Sequence, residues 1–192
     1  APIPAIDAAV VARNLSSQLE ARAAGEEMFG AAPHHFAHDV MPLETLEEAL
    51  IAGKILAYAQ GFDMIEKASD EFGWSLPLPE IAEVWRAGCI IRSEMLDDMA
   101  TALRENPERN LMMAPRFAET LKRTHGALRQ VVAQGALHGL SLPALSSGLA
   151  YFDTMRTARG TANMIQGQRD FFGAHSFARI DGGSGHHGPW GN

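Results

Sequence analysis

Cysteine is almost missing from this chain of 192 residues, with Cys89 the one thiol. A single thiol excludes an internal disulfide framework and suits a reducing compartment. Positive charge is also scarce: 16 lysines and arginines stand against 23 acidic residues, a net charge of −7. That balance argues against general nucleic-acid binding, which needs a basic face, but it leaves room for a small cationic pocket. No apolar run approaches the ~20 residues of a membrane-spanning helix. No basic segment followed by an apolar stretch marks a secretion leader, so the expected setting is cytoplasmic. No alternating run of useful length marks a strand. The Gly-rich turn that cradles a dinucleotide phosphate is missing as well.

What remains is helix-forming sequence, 46% apolar and 20% charged, long enough to bury a core. The apolar spacing predicts one helix from Ile6 to Phe29, with Asp7 as its N-cap. Residues 30–42, with three histidines and two prolines, read as a loop. A long helix follows from Leu43 to Phe72, where Leu46, Leu50, Ile55, Tyr58, Phe62 and Ile65 keep near-helical spacing. Gly53 and Gly61 inside it each cost about 1 kcal/mol against alanine, which suggests close backbone packing. Further helices are expected over 79–105, 114–138, 144–158 and 160–172, with prolines between them or in their first turns. The fold class is all-α.

One segment repeats. Gly73-Trp74-Ser75-Leu76-Pro77 is echoed by Gly139-Leu140-Ser141-Leu142-Pro143. Each follows a long helix and precedes one with an aromatic at the same offset, Trp85 and Tyr151. A duplicated helical unit accounts for this better than chance recurrence of a helix-turn-helix connector. From Ser176 onward the glycines predict an extended tail without regular structure, and Trp190 near its end needs somewhere to dock.

Arg169 and His175 sit at the end of the last helix and just beyond it. Gly173 between them allows a sharp turn, so both side chains can face one ligand. Arginine offers a rigid fork of donors suited to phosphate, and histidine can add another. From the residues alone, a surface Arg169–Asp170 pair beside a packed histidine is the competing reading. His34, His35 and His38 with His186 and His187 are too loosely spaced for a metal site. Cys89 reads as a buried helical thiol and not a nucleophile. Lys54 reads as a lysine snorkelling to solvent and not a catalytic amine.

Several segments carry a resemblance. They include Ile6-Asp7-Ala8-Ala9-Val10-Val11-Ala12-Arg13-Asn14-Leu15-Ser16-Ser17 and Lys54-Ile55-Leu56-Ala57-Tyr58-Ala59-Gln60-Gly61-Phe62. They continue with Trp85-Arg86-Ala87-Gly88-Cys89-Ile90-Ile91-Arg92-Ser93 and Ile165-Gln166-Gly167-Gln168-Arg169-Asp170-Phe171-Phe172-Gly173-Ala174-His175. From Ile3 to Trp190 the chain resembles the C-terminal helical domain of the longer-chain 6-phosphogluconate dehydrogenases. The resemblance implies an all-α fold with a duplicated helical unit and an extended tail. It implies a helical substrate-binding and dimerisation domain over 1–175, with a tail over 176–192 that docks on the partner subunit. The family oxidises 6-phosphogluconate with NADP and decarboxylates the product to ribulose 5-phosphate, in the pentose phosphate pathway.

By the same resemblance, Arg13, Arg169 and His175 bind the substrate phosphate. Arg169 and His175 reach the active site of the partner, so a homodimer is implied and the partner pins Trp190. The family's lysine and glutamate acid–base pair and its nucleotide-binding domain have no counterpart here. The chain alone is therefore expected to lack dehydrogenase activity, with a separate nucleotide-binding domain as a possible partner. The alternative is a stand-alone helical dimer or truncated remnant, binding a sugar phosphate or serving only as a structural module.

Overall fold

The computed structural model describes residues 1–31, 41–91 and 93–190. Among them the fold is all-helical, in two compact units, Ala1–Leu149 and Ala150–Asn192.

The first unit is organised on its longest helix. In chain order α1 is Pro4–Ser16, α2 Leu19–Phe29 and α3 Leu43–Phe72, and α4 Leu78–Gly88 and α5 Met95–Glu105 follow. After a short 3₁₀ turn at Leu111–Met113 come α6, Pro115–Leu137, and α7, Pro143–Met155, which starts in this unit. On α3, Ala52, Ile55, Leu56, Ala59 and Phe62 form one buried stripe. On α6, Phe117, Leu121, Thr124, Leu128 and Val131 recur at alternating steps of four and three, and the two stripes pack together. Each large apolar side chain buried here contributes about 1.5–3 kcal/mol. Gly53 is close-packed as expected: a Cβ there would lie 2.4 Å from Leu145 Cδ2. Gly61 is not, since its nearest neighbour, Ile6 Cδ1, would be an ordinary 3.9 Å away.

Two predicted helices are each divided in two. The stretch from Ile6 to Phe29 breaks at Ser17-Gln18. There Ser16 and Ser17 donate their hydroxyls to the carbonyls of Arg13 and Asn14, the local competition by which serines end helices. The stretch 79–105 breaks after Gly88, where Cys89 is extended (φ −146°, ψ 170°) and the β-branched pair Ile90-Ile91 follows. Cys89 is thus half-buried beyond a helix end, and not inside a buried helix. Asp7 is not an N-cap either. The helix starts earlier, at Pro4, and the buried side chain of Gln60 on α3 accepts the orphan Ala5 N–H at 2.9 Å. Packing against α3 replaces the local cap.

The echoed segment is the same backbone motif twice. Gly73 (φ 66°) and Gly139 (φ 69°) both adopt the left-handed conformation. Trp74 N–H bonds to Ser69 O at 2.9 Å and Leu140 N–H to Gly135 O at 2.8 Å, the long bond of a Schellman cap in each case. The copies differ in how they seat the following leucine. The Ser69 hydroxyl accepts Leu76 N–H at 2.9 Å, whereas at Gly135 a Cβ would lie 2.6 Å from Leu142 Cδ1.

In the second unit, α8 spans Thr161–Gly173 and the tail returns along it. The tail is more regular than its composition predicts. Phe177 and His186 form an antiparallel bridge (N–O 2.9 and 3.1 Å), closed by a turn in which Gly182, Gly183 and Gly185 hold positive φ. Glycine supplies the turn and backbone pairing supplies the order.

Because the two caps share one geometry, Gly73→Ala and Gly139→Ala are expected to lower stability by similar amounts, about 1 kcal/mol each. Urea unfolding of the two variants checks this, and clearly unequal losses would contradict the shared motif.

Candidate phosphate site

The site of interest starts from the way α8 ends. Gly160 enters the helix in extended conformation, and the helix runs without interruption to Gly173. The sharp turn falls at Ala174 (φ 51°, ψ 40°) and not at Gly173. Ser176 is left-handed as well, at φ 60°. Two non-glycine residues in this region cost on the order of 1–2 kcal/mol each, so something must hold them. Gly173 has another purpose. A Cβ there would lie 2.8 Å from His175 Nε2, so the missing side chain makes room for the imidazole.

What holds the turn is Asp170. Its side chain is fully buried. Its Oδ1 accepts Ser176 N–H at 2.8 Å and pairs with His187 Nδ1 at 2.6 Å. Its Oδ2 accepts Gly188 N–H at 2.8 Å and the Trp190 indole N–H at 2.7 Å. The backbone carbonyl of Asp170 takes Ala174 N–H at 2.9 Å. Burial by itself would raise the carboxyl pKa. The bonds from Gly188, Trp190, His187 and Ser176 outweigh it and hold the group well below the usual carboxylate range.

Arg169 and His175 flank this latch. Both are exposed, and neither side chain makes a hydrogen bond or ion pair among the described residues. The surface Arg169–Asp170 pair is therefore not formed, since Asp170 is committed to the tail. Arg13 sits in the last turn of α1, in the first unit, and is likewise exposed and unpaired among the described residues. Trp190 has an anchor in its own chain: besides the bond to Asp170 it meets Phe171 edge-on, with ring centroids 5.8 Å apart. It is still 44% exposed. An open groove of about 920 Å³ runs beside it, lined by Asn163, Gln166, Gly167, Phe177 and Ile180.

The other candidates have different duties. His34, His35 and His38 lie outside the described residues, as does Arg92. His186 serves the tail bridge and His187 serves Asp170, and no three metal-ligating side chains gather among the described residues. Cys89 donates its thiol to Trp85 O at 3.2 Å. Lys54 is half-buried and reaches the Ser93 hydroxyl at 3.1 Å. It lines an apolar hollow of about 470 Å³ with Tyr58, Trp85, Ile90 and Ile91. Tyr58 donates to Ile91 O, and burial, with Cys89 nearby, pushes its phenol pKa up. Asp170 was not among the residues singled out by spacing. The signal available was a lone tryptophan in a glycine-rich tail, which needed an anchor.

An all-helical domain ending in a latched tail, with an arginine and a histidine free beside the latch, defines the class. The chain belongs to the family described as the 6-phosphogluconate dehydrogenase C-terminal domain, whose model matches residues 1–190. It is 42% identical to the decarboxylating 6-phosphogluconate dehydrogenase of Synechocystis over 94% of this chain and 38% of that protein. It is 40% identical to the NAD(+)-dependent, decarboxylating enzyme of Bacillus subtilis over 98% of this chain and 41% of that one. In structure it is similar to the 6-phosphogluconate dehydrogenase of Plasmodium falciparum, with a TM-score of 0.82 and 35% identity. That match covers 98% of this chain and 41% of the other, which was determined in apo form and in complex with NADP+ and with 6-phosphogluconate. The chain thus spans about 40% of the length of the relatives it matches. No described helix is long and apolar enough to cross a membrane.

The latch gives a pH dependence with a definite sign. An unfolded aspartate titrates near ~3.9, and in the fold the same group titrates lower. The stabilisation is therefore complete above the unfolded value and is lost as pH falls through the folded one. Below about pH 4, Trp190 emission in a Trp74→Phe/Trp85→Phe background is expected to shift progressively as the tail detaches. A tail signal that moves only on raising the pH would contradict this sign.

Proposed function

We propose that this chain supplies the substrate-phosphate contacts and the dimer interface of a 6-phosphogluconate dehydrogenase. The assembled enzyme would carry out NADP-dependent oxidative decarboxylation of 6-phosphogluconate to ribulose 5-phosphate in the cytoplasm, within the pentose phosphate pathway. The observation that carries this reading is the state of Arg169 and His175. Two phosphate-binding side chains stand exposed and without internal partners, on either side of a turn held by a buried carboxylate. In this reading Arg169 and His175 reach the active site of the partner subunit, and Arg13 is the phosphate contact that each subunit keeps in its own.

Homodimerisation draws support from apolar surface left open on the second unit. Phe172 is 82% exposed, Met164 69% and Ile180 71%, and Ile180 lines the groove near Trp190. A tail already ordered along α8 is suited to docking on a partner as a preformed element, with 1–175 as the body of the domain and 176–192 as the docking segment.

The redox step belongs elsewhere. The described residues offer no parallel sheet and no Gly-rich turn at a helix start, so they do not fit a nicotinamide dinucleotide. The proton and hydride transfers are assigned to a nucleotide-binding part, on the same chain or a separate one. NADP is the cofactor proposed, as in the Plasmodium falciparum complex; the Bacillus subtilis relative is NAD(+)-dependent.

Binding of 6-phosphogluconate, by calorimetry on the chain and as KM in the enzyme assembled with a nucleotide-binding domain, tests the site. One charge-assisted arginine contact contributes about 1.5–3 kcal/mol, so Arg169→Ala is expected to weaken affinity roughly ten- to hundredfold. His175→Ala and Arg13→Ala are expected to weaken it by less. Unchanged affinity in Arg169→Ala would remove the assignment. NADPH production by the 192-residue polypeptide alone would overturn the placing of the redox step in another domain.

A further inference from the structure

The mechanism proposed above leaves unused the most deeply buried charged group of the second unit. Asp170 takes donors from two sides. On one side is Ser176 N–H, the residue after His175. On the other are His187, Gly188 and Trp190, near the end of the chain. Both oxygens are shared out, Oδ1 to Ser176 and His187, Oδ2 to Gly188 and Trp190. Residues 187–190 and the His175 turn are therefore tied to one carboxylate, although residues 177–186 lie between them. The segment between has its own closure at Phe177–His186, so it transmits order between the two instead of absorbing it.

We propose that Asp170 is a positioning residue that makes the His175–Arg169 site conditional on docking of residues 187–190. This rests on the reading of Arg169 and His175 as phosphate ligands. Three features of the geometry carry it. Ala174 and Ser176 are both held in left-handed backbone, a conformation such residues leave when their bonds are cut. The bond to Ser176 N–H fixes the backbone next to His175. Asp170 is also the helix neighbour of Arg169, so release of the carboxylate frays the last turn that carries the guanidinium. Residues 187–190 thereby act as a clamp: docked, they hold the turn that carries both side chains in place for one phosphate; released, they leave it loose. Neither Gly188 nor Trp190 touches the phosphate in this scheme.

The test uses the full chain and two variants that leave Arg169 and His175 in place. Asp170→Asn keeps the size but sets amide hydrogens against one pair of donors, either Ser176 N–H and His187 or Gly188 N–H and Trp190. A chain ending at His186 removes three donors and keeps the Phe177–His186 bridge. In both, amide exchange at Ser176 is expected to accelerate roughly tenfold or more, with α3 and α6 amides unchanged. In Asp170→Asn the Trp190 indole N–H resonance should also shift. Affinity for 6-phosphogluconate should fall roughly tenfold in both. Ser176 exchange as slow in the shortened chain as in the intact one would overturn the coupling, whatever the ligand does. If Arg169→Ala loses binding while both latch variants keep it, the positioning role fails and the phosphate reading stands. If Arg169→Ala binds as tightly as the intact chain, the phosphate reading fails, and Ser176 exchange alone decides the latch.

Discussion

A carboxylate without water must be met by donors, and the second unit of this protein is built around one that is. Asp170 cannot share its charge with Arg169, because adjacent residues on a helix point to different sides. It turns inward instead and collects two backbone N–H groups, an indole and an imidazole. Removing any one donor leaves a buried charge short of a partner, and such groups are costly to leave unmet. The consequence is a tail of glycines and histidines that has one place to be. Composition alone would leave that segment without order, since its glycines have the most conformational freedom to lose. Order comes from the Phe177–His186 pairing together with one buried acceptor that takes several donors.

The first unit solves its problem differently, through size. The α3 stripe alternates alanines with Ile55, Leu56 and Phe62, so α6 can approach closely and still bury large side chains. Where α7 begins, Gly53 gives up its side chain altogether to seat Leu145. Gln60 shows the limit of that economy. It is a polar group at full burial, kept because it satisfies the first turn of α1. Its own Nε2 has no partner among the described residues, and that imperfection is small beside the helix end it secures.

The all-helical class and the bounds of α3 and α6–α8 were legible in the sequence, as was the duplicated connector. Each rests on local signals: helical periodicity, prolines at helix starts, and left-handed glycines at helix ends. The breaks at Ser17 and Gly88 were not legible, because a serine or a glycine in a helical pattern is tolerated as often as it ends one. Asp7 misled because a buried glutamine fifty residues away can do the work of a local cap, and no window reaches that far. Within the site, Arg169 and His175 could be named from the resemblance. Asp170 could not: its importance lies in burial and in bonds to residues far along the chain, neither of which spacing reveals. Gly173 was read correctly as important and for the wrong reason, since space for the imidazole leaves the same trace in sequence as a sharp turn.

In the proposed reading the latch also bears on how two exposed side chains hold one phosphate. A guanidinium and an imidazole on a mobile surface would lose on binding most of what the contacts supply, because ordering them costs conformational entropy. Here the backbone share of that cost is met on folding. The turn that carries His175 is fixed by bonds to Asp170, so in the proposed reading a phosphate would meet backbone already placed. The two strained residues, Ala174 and Ser176, are then intelligible. They sit where the backbone must reverse to bring His175 back over Gly173, and the Asp170 carbonyl and carboxylate oppose their tendency to relax. In the proposed reading such a site depends on the buried Asp170 carboxylate as well as on the two exposed side chains.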